Sequence, residues 1–89
     1  MSALYWLSFC DPGRPKGEQF LGACLVEGQS FLDAVRAAHR QRLNPGGEVK
    51  GLEVTPASAA RVAPAWRGRL LTRQECEALD RELCRLVMS

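Results

Sequence analysis

Cys10 stands immediately before Asp11 and a few residues from Arg14 and Lys16, loop cations that would draw its thiol toward the reactive thiolate form. Nucleophilic catalysis also needs a base. The single histidine, His39, lies at the flank of an apolar helical stripe with no nucleophile in its turn. A structural or surface role for His39 outweighs a catalytic one, and no catalytic residue is assigned. The four cysteines raise the question of disulfides or a metal. Cys76 and Cys84 are separated in a helical segment by a rise of about 12 Å, beyond the ~7 Å Cα limit for a bridge. Cys10 and Cys24 lie on the two strands of one hairpin, but with Cys10 opposite Phe20, Cys24 is four residues out of register. No Cys-x-x-Cys and no Cys/His group at zinc spacing occurs, so free thiols, no metal ion and no cofactor are expected.

Phosphate binding is the next chemistry to weigh. Gly13, Gly17, Gly46 and Gly47 would expose backbone amides in loops, but neither a dinucleotide fingerprint nor a P-loop is present. Asn44-Pro45-Gly46-Gly47 also follows a helix instead of opening one, so turn formation explains these glycines better. Charge offers two further groups. Arg14, Lys16, Arg40 and Arg42, with Asp11 and Asn44 beside them, gather at one edge of the fold if the strand directions below hold, and mark a candidate binding surface. Arg61, Arg67, Arg69 and Arg73, with Trp66 among them, form an alternative strip that would contact nucleic acid by phosphate pairing and base stacking. At a net charge of +2, a solvated rim is the plainer reading of the first group. A tryptophan anchoring the chain onto the core is the plainer reading of the second.

The elements that must position these residues are well marked over the first part of the chain. Leu4 to Asp11 alternates Tyr5, Leu7 and Phe9 with Leu4, Trp6 and Cys10, a strand apolar on both faces. Phe20 to Glu27 sets Phe20, Cys24 and Val26 against Leu21, Ala23 and Leu25, with Gly22 permitting a kink. The loop 11–19 between them is longer than hairpins normally use and is rich in proline and glycine. Ser30 with Asp33 resembles a capping box and opens a helix from about Phe31 to Leu43, whose apolar stripe is Phe31, Ala34, Val35 and Ala38. Asn44 as a left-handed cap, Pro45 as a stop and Gly46-Gly47 as a reversal lead into a third strand, Glu48 to Val54. There Val49, Leu52 and Val54 require a bulge at Gly51 to share one face. A right-handed crossover makes strands two and three parallel with strand one between them, giving a ββαβ unit with a three-stranded mixed sheet in the order 2-1-3.

Residues 55–71 read as an irregular connector broken by Pro56 and Pro64, with a short helical turn around Ala57 to Arg61. Thr72 and Glu75 form a second capping box, with Leu71 and Cys76 as a hydrophobic staple. They open a C-terminal helix over 72–88 whose stripe is Cys76, Leu79, Leu83 and Val87, flanked by Leu86. That helix is expected on the sheet face that the first helix leaves open. The alternative places both helices on one face and leaves Trp6 and Cys10 to a partner chain. Residues 1–89 thus read as a single small α+β domain, with 4–54 as its core unit. Apolar residues at 46% and charged ones at 25% argue against disorder. No apolar run approaches the ~18 residues needed to span a bilayer, and the N-terminus lacks the pattern of a secretion signal, so a cytoplasmic location without a membrane partner is expected.

Leu4-Tyr5-Trp6-Leu7-Ser8-Phe9, the Pro15-Lys16-Gly17 loop, Phe20-Leu21-Gly22 and Asn44-Pro45-Gly46-Gly47-Glu48-Val49 together resemble a type of small uncharacterised bacterial protein. The resemblance spans roughly the first half of the chain and implies no activity, cofactor or functional residue. Three readings remain, in order. The first is a non-enzymatic binding module that presents the loop edge 11–19/44–47, and with it a strand edge, to an unidentified protein, a role that a second copy of the chain would also fill. The second is a weak nucleic-acid binder using that edge or the stretch from Arg61 to Arg73. An enzyme ranks third, because no acid, base and nucleophile constellation is evident.

Overall fold

A computed structural model describes the backbone of residues 2–88 and the side chains through Arg81, so Cys84 and, of the expected C-terminal stripe, Leu83, Val87 and the flanking Leu86 lie outside the described side chains. The elements in chain order are β1 (Ala3–Cys10), β2 (Phe20–Gly28), α1 (Phe31–Arg40), β3 (Glu48–Val54), α2 (Pro56–Ala59) and α3 (Arg73–Met88), with a turn of 3₁₀ helix at Pro64–Trp66 before α3. This is the expected α+β fold with its sheet in the order β2-β1-β3. Both hydrogen-bonded pairs are antiparallel, so the sheet is mixed only in that its two outer strands share a direction, as a crossover through α1 requires.

The alternation in β1 decides the layering. Leu7 and Phe9, fully buried, point to one face and join Cys24, Val26, Ala34, Ala38 and Leu43 in a core beneath α1, with Tyr5 and Val49 packed against it. Leu4 points to the other face, where Leu25, Val62, Leu71 and Leu79 form a second core with Trp6, Val54, Trp66 and Cys76 around it. Leu79 and Cys76 come from α3, so the C-terminal helix covers the face opposite α1. Trp6 is accordingly half-buried against it.

Helix starts follow the sequence closely. Ser30 Oγ accepts from the Asp33 N–H at 3.1 Å while Asp33 Oδ2 accepts from the Gln29 N–H at 2.9 Å. Thr72 Oγ1 accepts from the Glu75 N–H, and Glu75 Oε1 accepts from the Thr72 N–H at 3.1 Å, a reciprocal capping box. Leu71 and Cys76, the expected staple, share the second core.

Three local expectations need correction. The end of α1 comes earlier than Leu43: Gln41 is the cap and Arg42, with φ 61°, takes the left-handed position in place of Asn44. The Leu43 N–H donates to Ala38 O at 2.8 Å and the Arg42 N–H to His39 O at 3.0 Å, the paired bonds of a Schellman motif, closed by burial of Leu43 and Ala38 in one core. The bulge expected at Gly51 is absent, since β3 pairs with β1 in unbroken register from Leu4↔Val54 to Cys10↔Glu48. Val49 therefore faces the α1 core, whereas Leu52 and Val54 lie on the α3 side. The irregularity falls in β2 instead. Phe9 pairs with Gly22 and Cys10 with Phe20, leaving Leu21 as the extra residue. Gly22 adopts φ 145°, and Leu70 lies 2.8 Å from where its Cβ would stand, so this is where the backbone gives way. Beyond the bulge the faces exchange: Leu21 joins the α1 core, and Phe20 turns to the α3 side.

Candidate binding surface

The hairpin loop is built around Asp11. Its N–H donates to Gln19 O at 2.8 Å, its Oδ1 accepts from the Gly13 N–H at 2.9 Å, and its Oδ2 lies 3.5 Å from Arg14 Nε. Gln19 Nε2 donates in turn to Arg14 O at 3.1 Å. Asp11 and Arg14 thus shape the loop, and their ion pair is solvated enough to add little to stability. Lys16 is exposed on the same loop. The turn after α1 reaches the base of this loop, because Gly47 packs directly on the Cys10 carbonyl. Gly46 and Gly47 take φ of 95° and 74°, and Asn44 Oδ1 accepts from the Gly46 N–H at 2.8 Å, an Asx turn. Arg40 and Arg42 are exposed where α1 leads into that turn.

The basic stretch from Arg61 to Arg73 is largely occupied in holding the connector. Arg67 Nη2 donates to Ala59 O at 2.6 Å and Nη1 lies 3.6 Å from Glu27 Oε1, tying α2 to the end of β2. Arg69 sits over the Trp66 ring at 5.6 Å, donates from Nε to Ala65 O and pairs with Glu75. Trp66 itself packs against the second core, and Arg73 lies over the Phe20 ring at 5.9 Å. Arg61 is exposed just after α2. Arg67 and Arg69, which would have to meet phosphates, thus have carboxylates and carbonyls beside them already.

The sequence points to a strand edge without saying which, and the two edges of the sheet are treated differently. Along β2 the connector forms a partial fourth strand: the Ala23 N–H donates to Leu71 O at 3.2 Å, the Leu71 N–H donates to Ala23 O at 2.6 Å, and the Gly68 N–H donates to Leu25 O at 3.3 Å. Along β3 no second strand pairs among the described residues. Apolar side chains flank that open edge on both faces. Leu52 is 59% exposed on the α3 side, while Phe31, 40% exposed at the start of α1, lies over Gly51 on the other. Behind Leu52 a groove of about 560 Å³ runs between β3, α2 and α3. Trp6, Leu25, Val54, Val62 and Leu79 form its apolar walls, with Cys76 and Phe20 beside them. Its charged lining is Glu77, Asp80 and Arg73, while Glu53, between Leu52 and Val54, borders it with its side chain alternating to the other face. The groove exists because α3 lies over β2 and leaves the β3 half of the face uncovered.

Other chemistry finds little support here. Cys24 is fully buried, and burial pushes its thiol up to about 11, the opposite of activation. His39 is exposed in the last turn of α1. Among the described residues no group of three His, Cys, Asp or Glu side chains is placed to hold a metal ion, and no helix is long and apolar enough to cross a membrane. Compared with family models, with curated proteins and with solved structures, the chain matches none.

Proposed function

We propose that this chain is a protein-binding module that takes an extended segment of its partner alongside β3, as an added strand. The carrying observation is the contrast between the two sheet edges: β2 is paired by the connector, whereas β3 keeps an open edge with Leu52 and Phe31 beside it. An unpaired strand edge is a template for another chain, and exposed apolar side chains on both of its faces would be covered by the alternating side chains of an added strand. The loop edge has a part in this reading. Asp11, Arg14, Lys16, Arg40, Arg42 and Asn44 lie where the 44–47 turn delivers the chain into β3, at one end of the docking strand. Nucleic-acid binding has less support, since Arg67 and Arg69 are already engaged.

Affinity capture from the native lysate, compared across three forms, tests the proposal. Partner retained by the unaltered chain should be lost with Leu52→Lys and weakened with Arg14→Ala/Lys16→Ala. Equal retention by Leu52→Lys and the unaltered chain, or retention of nothing, counts against the module.

A further inference from the structure

We infer that the groove behind Leu52 selects a cationic partner: an extended peptide segment whose groove-facing side chains, at every second residue, are apolar with lysine or arginine among them. The inference rests on strand addition at β3 and adds the chemistry of what is added. Leu52 belongs to both features, flanking the open edge and lining the groove. A strand laid against β3 therefore sends every second side chain over the groove mouth. The groove volume, about 560 Å³, lies within the range of preformed ligand sites, and its apolar walls call for apolar side chains.

Charge decides among apolar segments. The whole chain carries a formal charge of +2, yet the groove lining holds two carboxylates from α3, Glu77 and Asp80, against one cation. That cation, Arg73, already lies over the Phe20 ring. A locally acidic mouth on a basic protein attracts positive segments and repels acidic ones, a contribution to selectivity more than to raw affinity. The same lining argues against a second copy of this chain as the occupant. Its exposed strand, β3, is itself net acidic, with Glu48 and Glu53 against Lys50.

Two synthetic octapeptides, Lys-Leu (Leu-Ser-Lys-Ser repeated) and Glu-Leu (Leu-Ser-Glu-Ser repeated), which put leucine and the charged residue on the same strand face, serve as probes against the intact chain labelled for NMR. Amides of β3 report strand addition, while the methyls of Leu52, Val54 and Leu79 report filling of the groove. The Lys-Leu peptide should shift both sets and bind about tenfold more tightly than Glu-Leu at low salt, with the preference shrinking as salt is added. Glu77→Lys/Asp80→Lys should reverse the preference, and the milder Glu77→Gln/Asp80→Gln should abolish it if the reversed form folds poorly. Equal binding of both peptides with β3 shifts overturns the charge inference and leaves strand addition standing. Shifts in the groove methyls without β3 amides indicate a compact ligand and overturn the inference. It is overturned as well if neither peptide binds while β3 shifts grow with protein concentration, which indicates self-association. Absence of any shift removes strand addition too.

Discussion

Gly51 lies beneath the ring of Phe31: a Cβ at residue 51 would stand 2.6 Å from Phe31 Cε2 and 2.7 Å from Leu7 Cδ2. The ring of an exposed residue can swing aside, but Leu7 is fully buried in the α1 core and cannot. Gly51→Ala should therefore destabilise the fold by about 1–3 kcal/mol through overpacking, as measured by urea denaturation. It should also leave Phe31 more exposed, giving a larger response to a hydrophobic dye. An unchanged midpoint would mean that β3 shifts outward easily.

Arg42 ends α1 in a left-handed conformation that costs an L-residue about 1–2 kcal/mol. Glycine avoids that cost but loses more chain entropy on folding, so Arg42→Gly should stabilise by about 0.5–1 kcal/mol. A rise in the thermal midpoint is the expected reading. If Arg42 contacts the partner at the loop edge, the same variant will weaken binding while stabilising the fold, which separates the two roles.

Local signals were readable where one side chain performs one task. Ser30, Thr72 and Glu75 cap their helices as their spacing predicts, and the alternation of β1 correctly assigns both sheet faces. Errors arose where tertiary contacts overrode local patterns. The broken alternation in β3 suggested a bulge, yet Leu52 is simply exposed, and Gly51 is glycine because Phe31 and Leu7 occupy the space above it. The true bulge at Leu21 depends on Leu70, almost fifty residues away in the chain. The open β3 edge was hidden for the same reason, since only the long-range pairing of Ala23 with Leu71 makes the two edges unequal. Beside the candidate groove, which depends on where α3 crosses the sheet, the meeting of the 44–47 turn with the base of the 11–19 loop follows from the strand directions.

The capping box at α3 carries a pH dependence with a definite sign. The Thr72 backbone N–H first, and then Arg69 beside it, hold the Glu75 carboxyl below its ordinary range. A lowered folded value means the ionised carboxylate favours folding, so its contribution is complete above the usual carboxylate range and is lost as pH falls through the lowered value. Amide exchange at residues 73–76 should accelerate under those acidic conditions before the sheet amides change. In Glu75→Gln the acid-dependent part should vanish. Thr72→Ala, which removes the other half of the box, should cost about 0.5–2 kcal/mol at neutral pH.

Thiol reactivity should divide the cysteines by burial. Cys24 is enclosed beneath α1 with its thiol pushed up to about 11, whereas Cys10 is half-buried at the end of β1. Only the thiolate reacts with iodoacetamide, so at pH 8 native Cys24 presents roughly one thiolate in a thousand molecules and little access. Mass spectrometry should find Cys10 alkylated first and Cys24 modified only as the fold opens, at a rate that rises with urea. Cys76 should also react slowly, because burial first and Glu75 next to it raise its thiol. The sign for stability follows from the same shift: the unfolded chain ionises Cys24 near 9 and the folded chain near 11, so stability should fall as pH rises through that window. Cys24→Ala should flatten this alkaline loss while lowering stability at pH 7, because it leaves a cavity beside Leu7 and Phe9. Alkylation of Cys24 as fast as Cys10 in the native protein would show that the sheet opens beneath α1 without global unfolding.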